Sequence, residues 1–287
     1  MPRFKHILFP VDFSDRCRSV RPFVKSIAQQ FHSKLTLMHV VQIPTAWYGG
    51  ADGAYPILFD LPAMEEAAKN ELNTLFEPSE MIVDAITKVG DAAHEITHFA
   101  ELNQVDLIMM PTHGYGKFRN LLLGSVTAKV LHDAKCPVWT ATHTEDPNLP
   151  QHRDCKSVMG AIDLTPDSVA LIRSYVELAG GFNAKLRLVH AVPGTNPDMQ
   201  QGLDQDFRQF LLQSARESAA RLQAEAGTNL EVCIEGGAVS KIVRAAALHH
   251  DADLILLGRG TLQETFGQLR TNAYAIIRDA PCPVLSV

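Results

Sequence analysis

The sequence predicts two copies of a doubly wound α/β domain, each a five-stranded parallel sheet with flanking helices. Two observations predict it. First, the chain repeats itself in order. "KLTLMHVV" from Lys34 matches "KLRLVHAV" from Lys185 at five of eight positions, and "VDLIMMP" from Val105 matches "ADLILLG" from Ala252. "KCPVWTA" from Lys135 matches "PCPVLSV" from Pro281, and "HILFPVDFS" from His6 parallels "SVMGAIDLT" from Ser157, which aligns Asp12 with Asp163. A period near half of the 287 residues means two copies of one domain rather than a stack of short repeats. Second, short apolar runs alternate with helical patterns, as in parallel strands joined by crossover helices.

The elements follow in order. Ile7 to Val11 is an apolar run ending at Asp12, as a strand buried on both faces reads. Ser14 caps the next helix, whose Cys17, Val20, Phe23, Val24, Ile27 and Phe31 keep a spacing of about 3.6. Further strands are expected at Leu35 to Val41, Ile82 to Val89, Leu107 to Met110 and Val138 to Thr142, with helices over Pro62 to Phe76, Ala92 to Asn103 and Ser125 to Asp133. In the second copy Thr165-Pro166 reads as an N-cap followed by proline at the first helical position. Leu203 to Ala226 reads as one long helix. The stretch "DPNLPQHRD", Asp146 to Asp154, carries two prolines and no apolar period, so residues 1–145 and 155–287 are the expected domains, joined by a linker over 146–154.

Composition bounds the function. A net charge of −6 argues against a nucleic-acid grip, which needs a basic surface. No apolar run approaches the ~20 residues that span a bilayer, and Asp12 interrupts the N-terminus too early for a secretory signal. Five scattered cysteines without C-x-x-C spacing read as reduced thiols, and the expected location is the cytoplasm.

"HEITH", His94 to His98, spells the H-E-x-x-H pattern in which two histidines hold zinc and the glutamate acts as base. Within "DAAHEITHFAEL", however, Ala93, Ile96, Phe99 and Ala100 form one apolar stripe. At about 100° per residue His94 and His98 fall opposite it, toward water. A zinc peptidase needs them inside a cleft with a third ligand. Aligned by the repeat, the second copy places Ser240, Lys241 and Arg244 there, so neither a zinc nor a catalytic residue is expected.

Open α/β sheets bind ligands beyond the carboxyl ends of their strands, where the strand order switches. Asp12 follows the first strand, Val40 ends the second, Gly90 the third, and Pro111 follows the fourth. Then comes "PTHGYGKFRNLLLGSVT", in which Gly114 and Gly124 bracket nine residues and Gly124-Ser125 opens a helix. Amides of Ser125, Val126 and Thr127 would face an anion there, aided by the helix dipole. It is no Walker loop.

Spacing, the placement after "DLIMM", the early "PVDFS" and the Cys-Pro-Val final strand together resemble the universal stress protein domain, in both halves and over nearly the full chain. That family's nucleotide signature is G-x2-G-x9-G-[ST]. The resemblance implies a Rossmann-like, adenine nucleotide alpha hydrolase-like fold. It also implies ATP, or ADP or AMP, with Mg2+ or Mn2+ carried on the phosphates. Asp12 would then accept hydrogen bonds from the ribose or the adenine edge, beside Pro10 and Val11. Val40 would offer backbone groups to adenine, and Met110 would line the pocket. His113 and Gly114 would approach the phosphates from one side, with Gly124, Ser125, Val126 and Thr127 on the other; Lys117 and Arg119 are within reach. Pro111 departs from the first glycine of the signature. The second copy keeps Asp163 and, as the counterpart of Gly90, Gly236, but departs further at the phosphate end, with Gly258-Arg259-Gly260-Thr261, nine residues, then Thr271-Asn272, so ATP binding in the family manner is not expected there.

With no nucleophile–base pair in view, the leading expectation is a non-catalytic, nucleotide-dependent stress-response regulator. A nucleotide-free interaction module and a slow ATP hydrolase are the alternatives. The strands at Val138 and Val284 resemble those through which family members pair, so an intramolecular pseudo-dimer is expected, and the sequence leaves a homodimer open. Partners in the form of nucleic acid or membrane are not expected. The loop Gln42 to Leu61, with Trp47 and Tyr48, reads as a lid or a packing surface.

Overall fold

A computed structural model describes residues 4–42, 60–75, 83–114, 123–142, 155–194, 205–259 and 268–287. The lid segment with Trp47 and Tyr48, the charges at Lys117 and Arg119, and the proposed linker lie outside the described residues. Two compact units result, one of Phe4–Arg119 with Gly124–Val138, the other of Trp139–Val287.

The first half runs β1 (His6–Pro10), α1 (Asp15–Phe31), β2 (Lys34–Val41), α2 (Leu61–Leu72), β3 (Val83–Val89), α3 (Ala92–Leu102), β4 (Leu107–Met110), α4 (Ser125–Asp133) and β5 (Val138–Thr140). The second runs β6 (Ser157–Ala161), α5 (Ser168–Phe182), β7 (Lys185–Val192), α6 (Gln205–Ala226), β8 (Val232–Gly236), α7 (Val239–His249), β9 (Leu254–Leu257), α8 (Gln268–Asp279) and β10 (Val284–Ser286). Strand order is β3-β2-β1-β4-β5 in the first half and β8-β7-β6-β9-β10 in the second. Parallel registers join His6 to Lys34 and Ile7 to Leu107 in one, and Ser157 to Lys185 and Val158 to Leu254 in the other. The chain turns one way from β1 to β2 and the other way to β4, so a crevice opens above β1 and β4.

Burial on both faces explains the apolar runs. Ile7, Leu8, Leu107 and Ile108 are each 1% exposed or less, and burying such a side chain is worth about 1.5–3 kcal/mol. The polar matches of the repeat pin the strand ends. Asp106 accepts the N–H groups of Lys5 and His6, each at 2.9 Å, and Asp253 does the same for Lys156 and Ser157. Left-handed residues recur in step: Phe13 and Leu164 at φ 61° and 60°, His32 and Asn183 at 52° and 53°, Gln104 and Asp251 at 51° and 47°.

Three expectations change. Thr165-Pro166 does not open the helix. Asp163 Oδ1 takes the Thr165 N–H and hydroxyl at 3.2 and 2.9 Å, so the threonine is spent on the turn and α5 begins at Ser168. The counterpart of Gly90 is Gly237, at φ 151° against 153°, and both donate N–H to the preceding strand's end at 3.1 Å. Gly236, one residue earlier, belongs to β8. That shift also moves the histidine comparison by one: α3 starts at Ala92 and α7 at Val239, so His94, Glu95 and His98 answer to Lys241, Ile242 and Ala245. A Cβ on Gly90 would meet Glu95 and one on Gly237 would meet Ile242, in agreement.

All five cysteines are free thiols. Among the described residues no helix is long and apolar enough to cross a membrane.

Candidate functional site

The crevice is built from the turn after β1 outward. Val11 donates its N–H to the Met38 carbonyl at 2.8 Å, which carries the chain one residue past the last β1–β2 pair. Phe13 then adopts a left-handed conformation and turns the chain into α1. Asp12 holds this corner: its Oδ1 accepts the Ser14 N–H at 3.0 Å and the Ser14 hydroxyl at 2.6 Å, while Ser14 Oγ caps α1 by accepting from Cys17 N. Oδ2 points the other way, against Gly114. A Cβ on Gly114 would lie 2.1 Å from it. The early carboxylate and the late loop therefore meet, and only glycine fits where they do.

Val40 is turned toward the same place. Alternation along β2 points the Met38 carbonyl at β1 and the Val41 carbonyl at β3, where it accepts Gly90 N–H at 3.1 Å. The backbone of Val40 shares the direction of Met38, but β1 has no paired residue left opposite it. Met110 ends β4, and Pro10 ends β1. The Val11 and Met110 side chains are both 4% exposed, part of the floor rather than the mouth.

The two ends of the loop after β4 are clasped. Gly124 N–H donates to the Thr112 carbonyl at 2.8 Å, and the Thr127 hydroxyl donates to the Pro111 carbonyl at 3.1 Å. A Cβ on Gly124 would sit 3.2 Å from the Thr112 carbonyl and 3.4 Å from His113 Cα. Gly124 is the N-cap of α4 and supplies no side-chain acceptor, whereas Ser14, Asp60 and Asp91 cap α1, α2 and α3 with theirs. The first-turn amides of Ser125, Val126 and Thr127 thus begin a helix with no capping oxygen from its own N-cap. Ser125 is exposed; Thr127 is buried, its proton committed to Pro111. His113 is also buried, 6% exposed, with Nδ1 3.1 Å from the Thr112 hydroxyl. It belongs to the clasp rather than to a solvent-facing loop.

One contributor was missed by sequence reasoning. The His39 ring Nδ1–H donates to the Val11 carbonyl at 2.8 Å, and the ring lies 4.7 Å from that of Phe13. In the second unit His190 makes the same bond to the Ile162 carbonyl, also at 2.8 Å. The signal was present: this histidine is the polar match inside the aligned "KLTLMHVV" and "KLRLVHAV" strands.

The second unit keeps the carboxylate corner and loses the amide cradle. Asp163 Oδ1 takes Thr165 N–H, Thr165 Oγ–H and Ser168 Oγ–H. Burial opposes ionisation of this carboxyl, yet those hydrogen bonds outweigh it and hold it below the ordinary value. The helix after β9, however, starts at Gln268, four residues before Asn272, the counterpart of Ser125. An amide in the fifth helical position bonds within the helix, so the Asn272 N–H is spent there. Gly258 stands where Pro111 stands in the first unit, and its Cβ would meet Leu171 Cδ2 at 2.6 Å; the helix position of Leu171 is held by the shorter Val20 in the first unit.

On α3, Ala92, Ala93, Ile96 and Ala100 are buried, while His94 and His98 are exposed and stacked on each other at 5.6 Å. No group of three or more metal-binding side chains exists among the described residues.

The universal stress protein family model matches residues 3–141 and again residues 155–287. A universal stress protein of Methanocaldococcus jannaschii is 29% identical over 136 residues, 47% of this chain and 80% of that protein. The crystal structure of a universal stress protein from Archaeoglobus fulgidus superposes on 99% of this chain and 96% of its own, at 22% identity and a TM-score of 0.67. A universal stress protein solved in complex with cAMP covers 47% of this chain and 98% of its own, at 22% identity and a TM-score of 0.33.

Proposed function

Because the chain belongs to the universal stress protein family and carries two copies of its domain, we propose that the first domain binds an adenine nucleotide, ATP, and acts as a non-catalytic regulator of the stress response. The observation that carries this reading is the meeting of Asp12 with Gly114 over the end of β1, beside the uncapped start of α4. A carboxylate with one oxygen held by Ser14 is fixed in place to accept from ribose hydroxyls. The amides of Ser125, Val126 and Thr127, with the positive end of the α4 dipole, suit phosphates. The backbone of Val40, directed past the end of β1, suits the adenine edge. A divalent cation would travel with the phosphates, and the exposed Ser125 hydroxyl is placed to join its coordination; bound there, the cation supplies neutralisation of phosphate charge.

The same contacts favour binding without chemistry. Asp12 Oδ1 is engaged by Ser14, and His113 is buried against Thr112. The test is thermal unfolding with Mg-ATP, Mg-ADP, AMP and Mg-GTP. ATP at about 100-fold its Kd adds about 2.7 kcal/mol to unfolding of the domain that binds it. An unchanged melting profile with every adenine nucleotide removes the reading.

A further inference from the structure

In the second unit a cavity of about 590 Å³ opens at the carboxyl ends of the strands. Its walls are mostly apolar, formed by Ile162, Leu171, Leu257 and Ile276 with others of their kind. Its polar lining includes two carboxylates, Asp163 and Asp167. Asp163 commits Oδ1 to three donors, and among the described residues no hydrogen bond is recorded for Oδ2. Asp167 caps α5 without a side-chain bond to it. His190, also in the lining, donates Nδ1–H to the Ile162 carbonyl. Against two carboxylates, the described lining holds one permanent cation, Arg259. The helix start that would offer free amides lies four residues upstream of Asn272, as described above.

We infer that this cavity is a second ligand site, for a compact apolar molecule bearing a hydrogen-bond-donating amine or hydroxyl head and no anionic group. A volume of this size takes a small organic molecule. The acceptor set selects the head group. A polyphosphate would meet Asp163 and Asp167 with no amide cradle at Asn272 to offset them. The inference does not rest on the nucleotide reading of the first domain.

The test titrates the full chain by calorimetry with three molecules of one body: 1-naphthylmethylamine, 1-naphthalenemethanol and 1-naphthoic acid. The amine and the alcohol are expected to bind, with naphthoate at least about tenfold weaker than either, a difference of about 1.4 kcal/mol. The Asp163→Asn variant, which keeps an acceptor for Thr165 and Ser168, is expected to erase any preference for amine over alcohol. Ala273→Trp, on the half-buried face of α8 lining the cavity, fills the space and is expected to abolish binding of both. Val239→Trp fills it from α7 should the first variant fail to fold, as checked by its melting curve. Naphthoate binding as tightly as the amine overturns the inference. So does failure of both amine and alcohol to bind, or binding that survives a folded, cavity-filled variant.

Discussion

The carboxylate of Asp12 lies so close to the backbone of Gly114 that a Cβ at position 114 would fall 2.1 Å from Oδ2. These residues are about a hundred positions apart, on the exits of β1 and β4, and their meeting defines the crevice. Gly114→Ala is therefore expected to force the carboxylate off its Ser14 donors. The expected cost is about 1–3 kcal/mol, as for other overpacked sites, together with loss of ATP-induced stabilisation. Chemical denaturation with and without nucleotide checks both. Adding Asp12→Ala should recover stability but not the response to nucleotide.

His39 and His190 predict a matched pair of losses. Each donates to the carbonyl that precedes its aspartate, and removal leaves that carbonyl without the ring. His39→Ala and His190→Ala should each destabilise by about 1–3 kcal/mol. Only His39→Ala should weaken nucleotide binding, because only its corner carries the proposed site; parallel denaturation and calorimetry separate the two effects.

The turn after β4 differs between the units through a coupled substitution. Gly258→Ala places a Cβ 2.6 Å from Leu171 Cδ2 and should cost about 1–3 kcal/mol. Leu171→Val, which copies Val20 of the first unit, should recover most of that loss in the double variant. Additive losses, measured in a double-mutant cycle, would show the two positions to be independent.

Acid stability of the second domain should depend on Asp163. Its folded-state pKa is depressed, held down by donors from Ser168 and Thr165 against the opposing effect of burial. The stabilisation is complete above the unfolded pKa of about 3.9 and is lost as pH falls through the folded value. Asp163→Asn should lower the melting temperature most at neutral pH, where the stabilisation is complete, and flatten its decline below that unfolded value. Melts from acid to neutral pH compare the two proteins.

The repeat made the fold legible, because strands buried on both faces leave uninterrupted apolar runs, as at Leu107–Met110. The rule that open α/β sheets bind ligands beyond the carboxyl ends of their strands, with the glycine spacing of the resembled family, pointed to Asp12, Gly114 and Gly124. What escaped was decided by side chains bonding to backbone. Thr165 looked like a helix cap until Asp163 took both of its donors, and the bond from the His39 ring to the Val11 carbonyl leaves no mark in a strand's burial pattern. The one-residue difference between Gly236 and Gly237 was hidden because two adjacent glycines offer the same letter, and only the backbone angle distinguishes them. The start of α8 escaped as well: nine residues separate the motif ends in both copies, yet in the second the helix begins inside that interval.

Calorimetric titration of the full chain with Mg-ATP tests the central claim most directly, because stoichiometry distinguishes the two domains. The account predicts one nucleotide bound per chain, lost in Gly124→Val and retained in Asp163→Asn. Two sites per chain, or one site that survives Gly124→Val and disappears with Asp163→Asn, would contradict it.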